Sequence, residues 1–281
     1  MRKIAVAFLL FYSFPVLCQD LAVKRVFENM LSAASSIQNT KFILFTEERL
    51  LNGKYALAER IVKVQSKPLQ IYFFAVKPDA GMEVLRKDGW NENKMLIHPG
   101  GFPYLTFSLN TNSALARKDS HHPIEHIGFD YLAGLMKFYL DKFKNHFYDY
   151  ATISDTVVWD NRKCIVLEFD FKDYKKVNYT MRPGENITSI SEQIHVNDYS
   201  LLIMNPFLDG FEKAKTSRSI KVPNFYNRKF IFYIDKNNWL PIKQLIYDEA
   251  GLYENYEMKS LLINPVFEKN EFDENNPAYS F

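Results

Sequence analysis

Five strand-length runs follow one another between residues 41 and 98, and they constrain the fold more than any other feature of the chain. They are Lys41–Leu51, Tyr55–Ser66, Leu69–Lys77, Met82–Lys87 and Lys94–His98. Turn-forming residues separate them, at Asn52-Gly53, Lys67-Pro68, Pro78-Asp79-Ala80-Gly81 and Asp88-Gly89. Such residues supply positive φ or a fixed φ at little cost, so they end strands and reverse the chain. Asn-Gly between two β runs is the strongest short-range hairpin signal. Long consecutive strands joined by short turns predict an antiparallel meander. In the third run, Leu69, Ile71 and Phe73 alternate with Tyr72, Phe74 and Val76, so both faces are apolar. A sheet covered on one side would carry polar residues on the other. This sheet is therefore covered on both sides, or it curves around an apolar interior. That interior is either a packed core or a ligand cavity.

Helical spacing marks two further segments. Over 21–37, Val23, Val26, Phe27, Met30, Leu31 and Ala34 recur at i, i+3, i+4, i+7. Over 123–149, Ile124, Ile127, Tyr131, Leu132, Leu135, Phe138, Tyr139 and Phe143 form a broad stripe, with Pro123 suited to the first helical position. Strands are expected at Ala151–Val158 and Cys164–Phe171, then at Arg228–Ile234, Leu240–Tyr247 and Leu252–Met258. The end of the chain, 270–281, reads as a polar, weakly ordered tail. With 47% hydrophobic and 16% aromatic residues, the chain can fill a core and is not disordered. Its 35 basic and 33 acidic side chains are scattered, so no basic stripe argues for nucleic acid.

Residues 179–223 interrupt the strand series with a different order. A β run at Val177–Met181 leads to a turn at Pro183-Gly184. Ile187, Ile190 and Ile194 then lie at helical spacing, and Val196 closes the helix. Asn197-Asp198 caps a second helix carrying Tyr199, Leu202 and Ile203, which Asn205-Pro206 stops. Ile220-Lys221-Val222-Pro223 is a second strand. The unit is βααβ, with host strands on either side.

The spacing of Tyr179, Pro183-Gly184-Glu185, Ile187, Ser189-Ile190-Ser191, Val196, Leu201, Asn205-Pro206, Ile220 and Val222-Pro223 resembles a LysM module. It departs from that family at Ser217, where a glycine is usual, and in the long charged segment 207–219. The resemblance implies binding of N-acetylglucosamine polymers such as peptidoglycan. The implied contacts are two turns, Gly184, Glu185, Asn186 and Ile187 in one and Asn205, Pro206 and Phe207 in the other. The flanking chain is similar to the outer-membrane lipoprotein carrier superfamily, and within it to an uncharacterised bacterial family. The motifs are Arg86-Lys87-Asp88-Gly89, His98-Pro99-Gly100-Gly101, His122-Pro123-Ile124, Tyr233-Ile234-Asp235, Trp239-Leu240-Pro241 and Leu261-Leu262-Ile263-Asn264-Pro265. That likeness implies an incomplete β-barrel on helices, with a cavity for lipid or lipoprotein acyl chains and no catalytic residues. The expected fold is thus α+β, a curved antiparallel sheet packed on helices with a small inserted βααβ module. The expected division is 1–18 as signal peptide, 19–178 with 225–281 as a discontinuous carrier-like domain, and 179–224 as the insert.

Arg2-Lys3 followed by the apolar Ile4–Leu17 reads as a secretion signal, too short to span a bilayer. Cleavage after Cys18 would leave Gln19 first and a periplasmic or otherwise exported protein. Lipidation of Cys18 would instead make it an outer-membrane lipoprotein. Cys164, in an apolar run, reads as a small buried hydrophobe rather than a nucleophile. His122-Pro123-Ile124-Glu125-His126 matches the inverted zinc-protease pattern H-x-x-E-H, which needs both histidines on one helical face. Pro123 breaks that geometry by starting the helix after His122. The expectation is a non-enzymatic cell-envelope protein without cofactor or metal, binding glycan through the insert and lipid through the carrier-like domain. The alternatives are an envelope scaffold whose insert is structural only, and a metal-dependent hydrolase using His122, Glu125 and His126.

Overall fold

The computed structural model describes residues 14–208, 210–211 and 217–281, with side chains from residue 21 onward. Residues 1–13 of the expected export signal lie outside it, and residues 14–18 begin the first helix. That helix, α1 (Phe14–Ser36), is followed by β1 (Asn39–Arg49), β2 (Tyr55–Gln65), β3 (Gln70–Lys77), β4 (Glu83–Lys87), β5 (Met95–His98) and β6 (Phe107–Leu109). Next come α2 (Asp130–Phe143), β7 (Ala151–Trp159) and β8 (Arg162–Asp170). The βααβ segment is β9 (Lys176–Met181), α3 (Ile187–Ile194), α4 (Asp198–Met204) and β10 (Arg218–Pro223). The chain closes with β11 (Lys229–Asp235), β12 (Pro241–Asp248) and β13 (Gly251–Ile263).

The described residues form an eleven-stranded curved sheet in the order β6-β5-β4-β3-β2-β1-β13-β12-β11-β8-β7, antiparallel at each pairing. Its edges, β6 and β7, do not pair with each other, so the sheet does not close into a barrel. The expected meander is therefore present, and β13 pairing with β1 joins the two halves of the chain. Asn52-Gly53 makes the β1–β2 hairpin, with Gly53 at φ +78° donating to Leu50 O at 2.9 Å. Asp160 and Asn161 both take positive φ (47° and 58°) between β7 and β8, which matches the right-handed twist of the strands they join.

The concave face packs on α1 and α2. Val23, Val26, Phe27, Met30 and Ala34 bury one stripe of α1, and Phe27 sits 5.1 Å from Phe147 and 5.5 Å from Phe169, ring centre to ring centre. The second apolar face of β3 has another cover. Ile71 and Phe73 point into the core, while Tyr72 faces outward with Leu85 and Leu96 beneath the C-terminal segment. Tyr279 stacks on Tyr72 at 3.9 Å, Phe272 is buried beside it, and Lys63 pairs with Glu271 at 2.5 Å. The segment expected to be a weakly ordered tail is thus the outer cover of β3, β4 and β5, held by its aromatic residues together with the Glu271 ion pair.

The single helix expected over 123–149 is three pieces. Ile124–His126 is one turn of 3-10 helix, α2 begins at Asp130, and Lys144–Tyr150 returns to 3-10 geometry. Ile127 is extended (ψ 133°) and Gly128 takes φ +110°, a conformation that L side chains rarely adopt. The periodic stripe spans this break, with Ile124 and Ile127 packing beside Ala133 in one core cluster and Leu132, Leu135 and Tyr139 of α2 in another.

Within the βααβ segment, β9 and β10 form a separate two-stranded sheet. Met181, Ile187, Ile190, Val196, Leu201, Leu202, Ile220 and Val222 make its own small core. Asn186 caps α3 by accepting from Ser189 N at 2.7 Å, and the Ser189 hydroxyl accepts from Asn186 N in return.

Candidate ligand cavity and its polar end

Strand side chains alternate between faces, so every second residue of the central strands points to the concave side. Most of these are apolar, as with Leu44, Phe73, Val84, Ile97, Ile246 and Met258. They do not fill the space they enclose. A cavity of about 460 Å³ remains between the sheet and the segment 115–135, partly open to solvent. Its volume falls in the range of small-molecule sites. The interior left open between core and cavity by the sequence is therefore hollow in part.

One region of the cavity wall is polar. Thr46 and Glu48 on β1, Arg60 on β2, Gln244 on β12 and Glu254 and Tyr256 on β13 are all inward-facing positions. Behind this wall lies a fully buried imidazole. His121 Nδ1 lies 2.9 Å from Glu254 Oε1, and its Nε2 lies 2.9 Å from the Arg49 carbonyl oxygen. Both partners can only accept, so both ring nitrogens carry protons and His121 is an imidazolium. Burial opposes that charge, but the Glu254 hydrogen bond and the carboxylates of Glu48 and Glu254 outweigh it and raise the His121 pKa. The ring lies between Tyr199 (4.4 Å) and Tyr253 (4.3 Å), whose faces favour a cation. Burial also pushes Glu254 up, and the neighbouring His122 and His121 more than reverse it, holding the carboxyl below its usual range.

Further bonds complete the cluster. Glu254 also accepts from Tyr226 (3.2 Å), and Asn197 Nδ2 donates to the Tyr226 hydroxyl (3.1 Å). Burial keeps Tyr226, Tyr253 and Tyr256 protonated as hydroxyl donors. Glu48 accepts from the Tyr256 hydroxyl and from His121 N. Arg117, only 1% exposed, donates two bonds to Asp198 (2.7 and 3.2 Å) and a third to the His121 carbonyl. Asn197, Asp198 and Tyr199 all come from the start of α4. The βααβ segment is therefore anchored to the wall of the cavity by its α3–α4 turn.

The residues expected to carry function divide between exposed turns and structural roles. Of the seven assigned to glycan contact, Gly184, Pro206 and Phe207 are exposed, Phe207 by 56%. Ile187 is in the small core. Asn205 is buried, bonding Lys221 N and O at 2.7 and 2.8 Å and so pinning α4 to β10. Glu185 accepts from Arg182 N and from the Tyr179 hydroxyl, and Asn186 is spent on its cap. Ile187 and Asn205 thus have no surface to offer a sugar.

The H-x-x-E-H residues do not assemble as a zinc site. His122 stands before the 3-10 turn, its Nδ1 3.0 Å from His126 Nδ1 and its Nε2 2.9 Å from the Tyr226 hydroxyl. Glu125 points to Arg86 Nε at 3.1 Å instead. Burial and the nearby His122 and Arg117 hold His126 neutral. Among the described residues no three His, Cys, Asp or Glu side chains gather as a metal-binding group. Cys164 is buried, and burial pushes its thiol pKa up, as suits a small hydrophobe.

The inward polar residues were not singled out by sequence reasoning. Their signal was available: Arg60 stands two residues from Ala58 and from Val62, and Glu254 lies among strand residues at a position whose parity points inward.

A family model described as "Protein of unknown function (DUF1571)" matches residues 37–182, just over half of the chain. No curated protein matches the sequence. Solved structures give distant likenesses. A DUF1329 family protein from Desulfovibrio piger is 10% identical, with 90% of this chain and 97% of that one covered and a TM-score of 0.37. The lipoprotein LppX of Mycobacterium tuberculosis is 11% identical, with 88% and 98% covered and a TM-score of 0.41. In the MucA/MucB complex of Pseudomonas aeruginosa the likeness is 13% identity at a TM-score of 0.40, over 89% of this chain and 60% of that one. Among the described residues no helix is long and apolar enough to cross a membrane.

Proposed function

The chain belongs to the DUF1571 family, and from that premise we propose that it is a non-enzymatic, exported binding protein that holds the apolar chain of a lipid-like ligand in its sheet cavity. The cavity itself carries this reading. A mainly apolar hollow of about 460 Å³ on the concave side of the sheet is costly, because its lining forfeits packing contacts. A ligand with an acyl chain would restore them, at about 0.8 kcal/mol per buried methylene. The apolar segment Ile4–Leu17 after Arg2-Lys3 supports export.

Native mass spectrometry on protein purified without detergent tests the reading. Adducts with lipid masses, released on organic extraction, are expected. Leu132→Trp and Val84→Trp, which place an indole in the cavity, should reduce those adducts while leaving the fold intact by circular dichroism. Protein free of adducts that also fails to bind added lipid would contradict the proposal.

A second reading concerns the βααβ segment as a glycan-binding unit. Its support is the βααβ order together with the exposed Phe207 and Pro206 beside α4. Co-sedimentation of the full chain with peptidoglycan sacculi, lost in Phe207→Ala, is the expected result, and no co-sedimentation at micromolar protein would end it.

A further inference from the structure

Arg60 is out of place on its surroundings. It sits in β2 at an inward-facing position, opposite Leu44 on β1 and Ala75 on β3. Its guanidinium makes one long hydrogen bond, Nη1 to Thr46 Oγ1 at 3.4 Å, and lies 5.4 Å from the centre of the Phe73 ring. A guanidinium has five N–H donors, so most of them point into the cavity without a protein acceptor. Among the described residues no carboxylate comes within ion-pair distance of it. Arg49, Arg86, Arg117 and Arg162, by contrast, each pair with a carboxylate.

The charges that face Arg60 do not satisfy it. Glu48 acts on it most strongly, and its two oxygens already accept from the Tyr256 hydroxyl and His121 N. Asp79 lies on the exposed β3–β4 turn, where water screens it. Glu254 is matched by the His121 imidazolium. A cation left half-buried on an apolar wall is costly without an anionic partner. The wall beyond it is hydrocarbon, including Val84, Met95, Ile97 and Leu135.

We propose that Arg60 anchors the anionic head group of an amphipathic ligand, a carboxylate or a phosphate, whose apolar chain fills the cavity. A guanidinium presents paired N–H groups that match either head with two charge-assisted bonds. This inference rests on the lipid-binding reading and adds the charge of the ligand to it.

Four probes decide it on the full chain: palmitate, palmitoyl lysophosphatidic acid, hexadecanol and inorganic phosphate. Binding is measured by displacement of a fluorescent fatty acid, or by calorimetry. The wild type is expected to bind palmitate or the lysophosphatidic acid at least tenfold more tightly than hexadecanol, and inorganic phosphate alone should not compete. Arg60→Met should remove that preference while keeping hexadecanol, and Arg60→Lys should keep part of it. The preferred head, carboxylate or phosphate, is read from which of the two lipids binds better. Equal binding of all three lipids by the wild type, or an anionic preference that survives in R60M, overturns the anion site and leaves the cavity reading standing. Competition by inorganic phosphate alone would show an anion site that needs no chain, and so overturn the amphipath. If no lipid binds the wild type, the cavity reading falls and this inference falls with it. Thermal melting controls for folding: R60M removes an unpartnered cation and should melt no lower than the wild type.

Discussion

His121 and Glu254 are adjacent charges with no access to water, and their worth is set by what remains when one is removed. Deleting one partner of a buried pair leaves the other uncompensated, which typically costs about 3–5 kcal/mol. Glu254→Gln should therefore destabilise the chain by roughly that amount in urea unfolding. Replacing both partners with apolar residues should cost less than the sum of the single changes. The pair also sets a pH window. The folded His121 pKa is raised above its ordinary 6.5, so its contribution is complete below about pH 6.5 and is lost as pH rises through the folded value. Glu254 is depressed below its ordinary 4.5, so its contribution is complete above that pH and is lost as pH falls through the folded value. Stability measured against pH should be greatest between those two ordinary values. His121→Phe should flatten the alkaline side of the curve. Nitrogen NMR of His121 should show both ring nitrogens protonated at neutral pH, and a single protonated nitrogen would contradict the assignment.

Among the elements, α4 and the C-terminal segment are the two whose sequences disguise their role. Asn197-Asp198 reads as a helix cap, and Asn197 does cap α4 by accepting from Ser200 N at 3.1 Å. The same two residues also reach Arg117, Tyr226 and Glu254, contacts made across 29 to 81 positions of chain. Local sequence carries the cap and nothing of the long-range pairing. Asp198→Ala should free α4 from the cavity wall. The expected cost is about 3–5 kcal/mol, because Arg117 would keep its buried charge without a partner, and amide exchange should rise in 187–204. Unchanged stability would mean that the ion pair does not fasten the segment. At the other end, the polar composition of 270–281 hides Phe272, Tyr279 and Phe281, which cover Tyr72, Leu85 and Leu96. A chain ending at Ile263 should bare that apolar face, melt at lower temperature and aggregate.

At the scale of the whole molecule, the strand series was legible because turn residues and alternation are local signals. Ten of the eleven strands of the large sheet fall in runs visible in the sequence, and the eleventh, Phe107–Leu109, is too short to leave a pattern. The apolar second face of β3 announced a cover without saying which segment supplies it. The site was less legible. An inward-facing Arg60 or Glu254 has meaning only once register fixes which face is inside, and register here depends on β13 pairing with β1 more than 200 residues away. The histidine motif drew attention to His122, Glu125 and His126, while the buried imidazolium is their neighbour His121. The cavity between the sheet and 115–135 is either a ligand site or a packing defect. Native mass spectrometry of the intact chain, purified without detergent and then offered palmitate and hexadecanol, tests this most directly. A one-to-one lipid complex, abolished by Leu132→Trp, is the predicted result. A chain that stays empty with both lipids would contradict it.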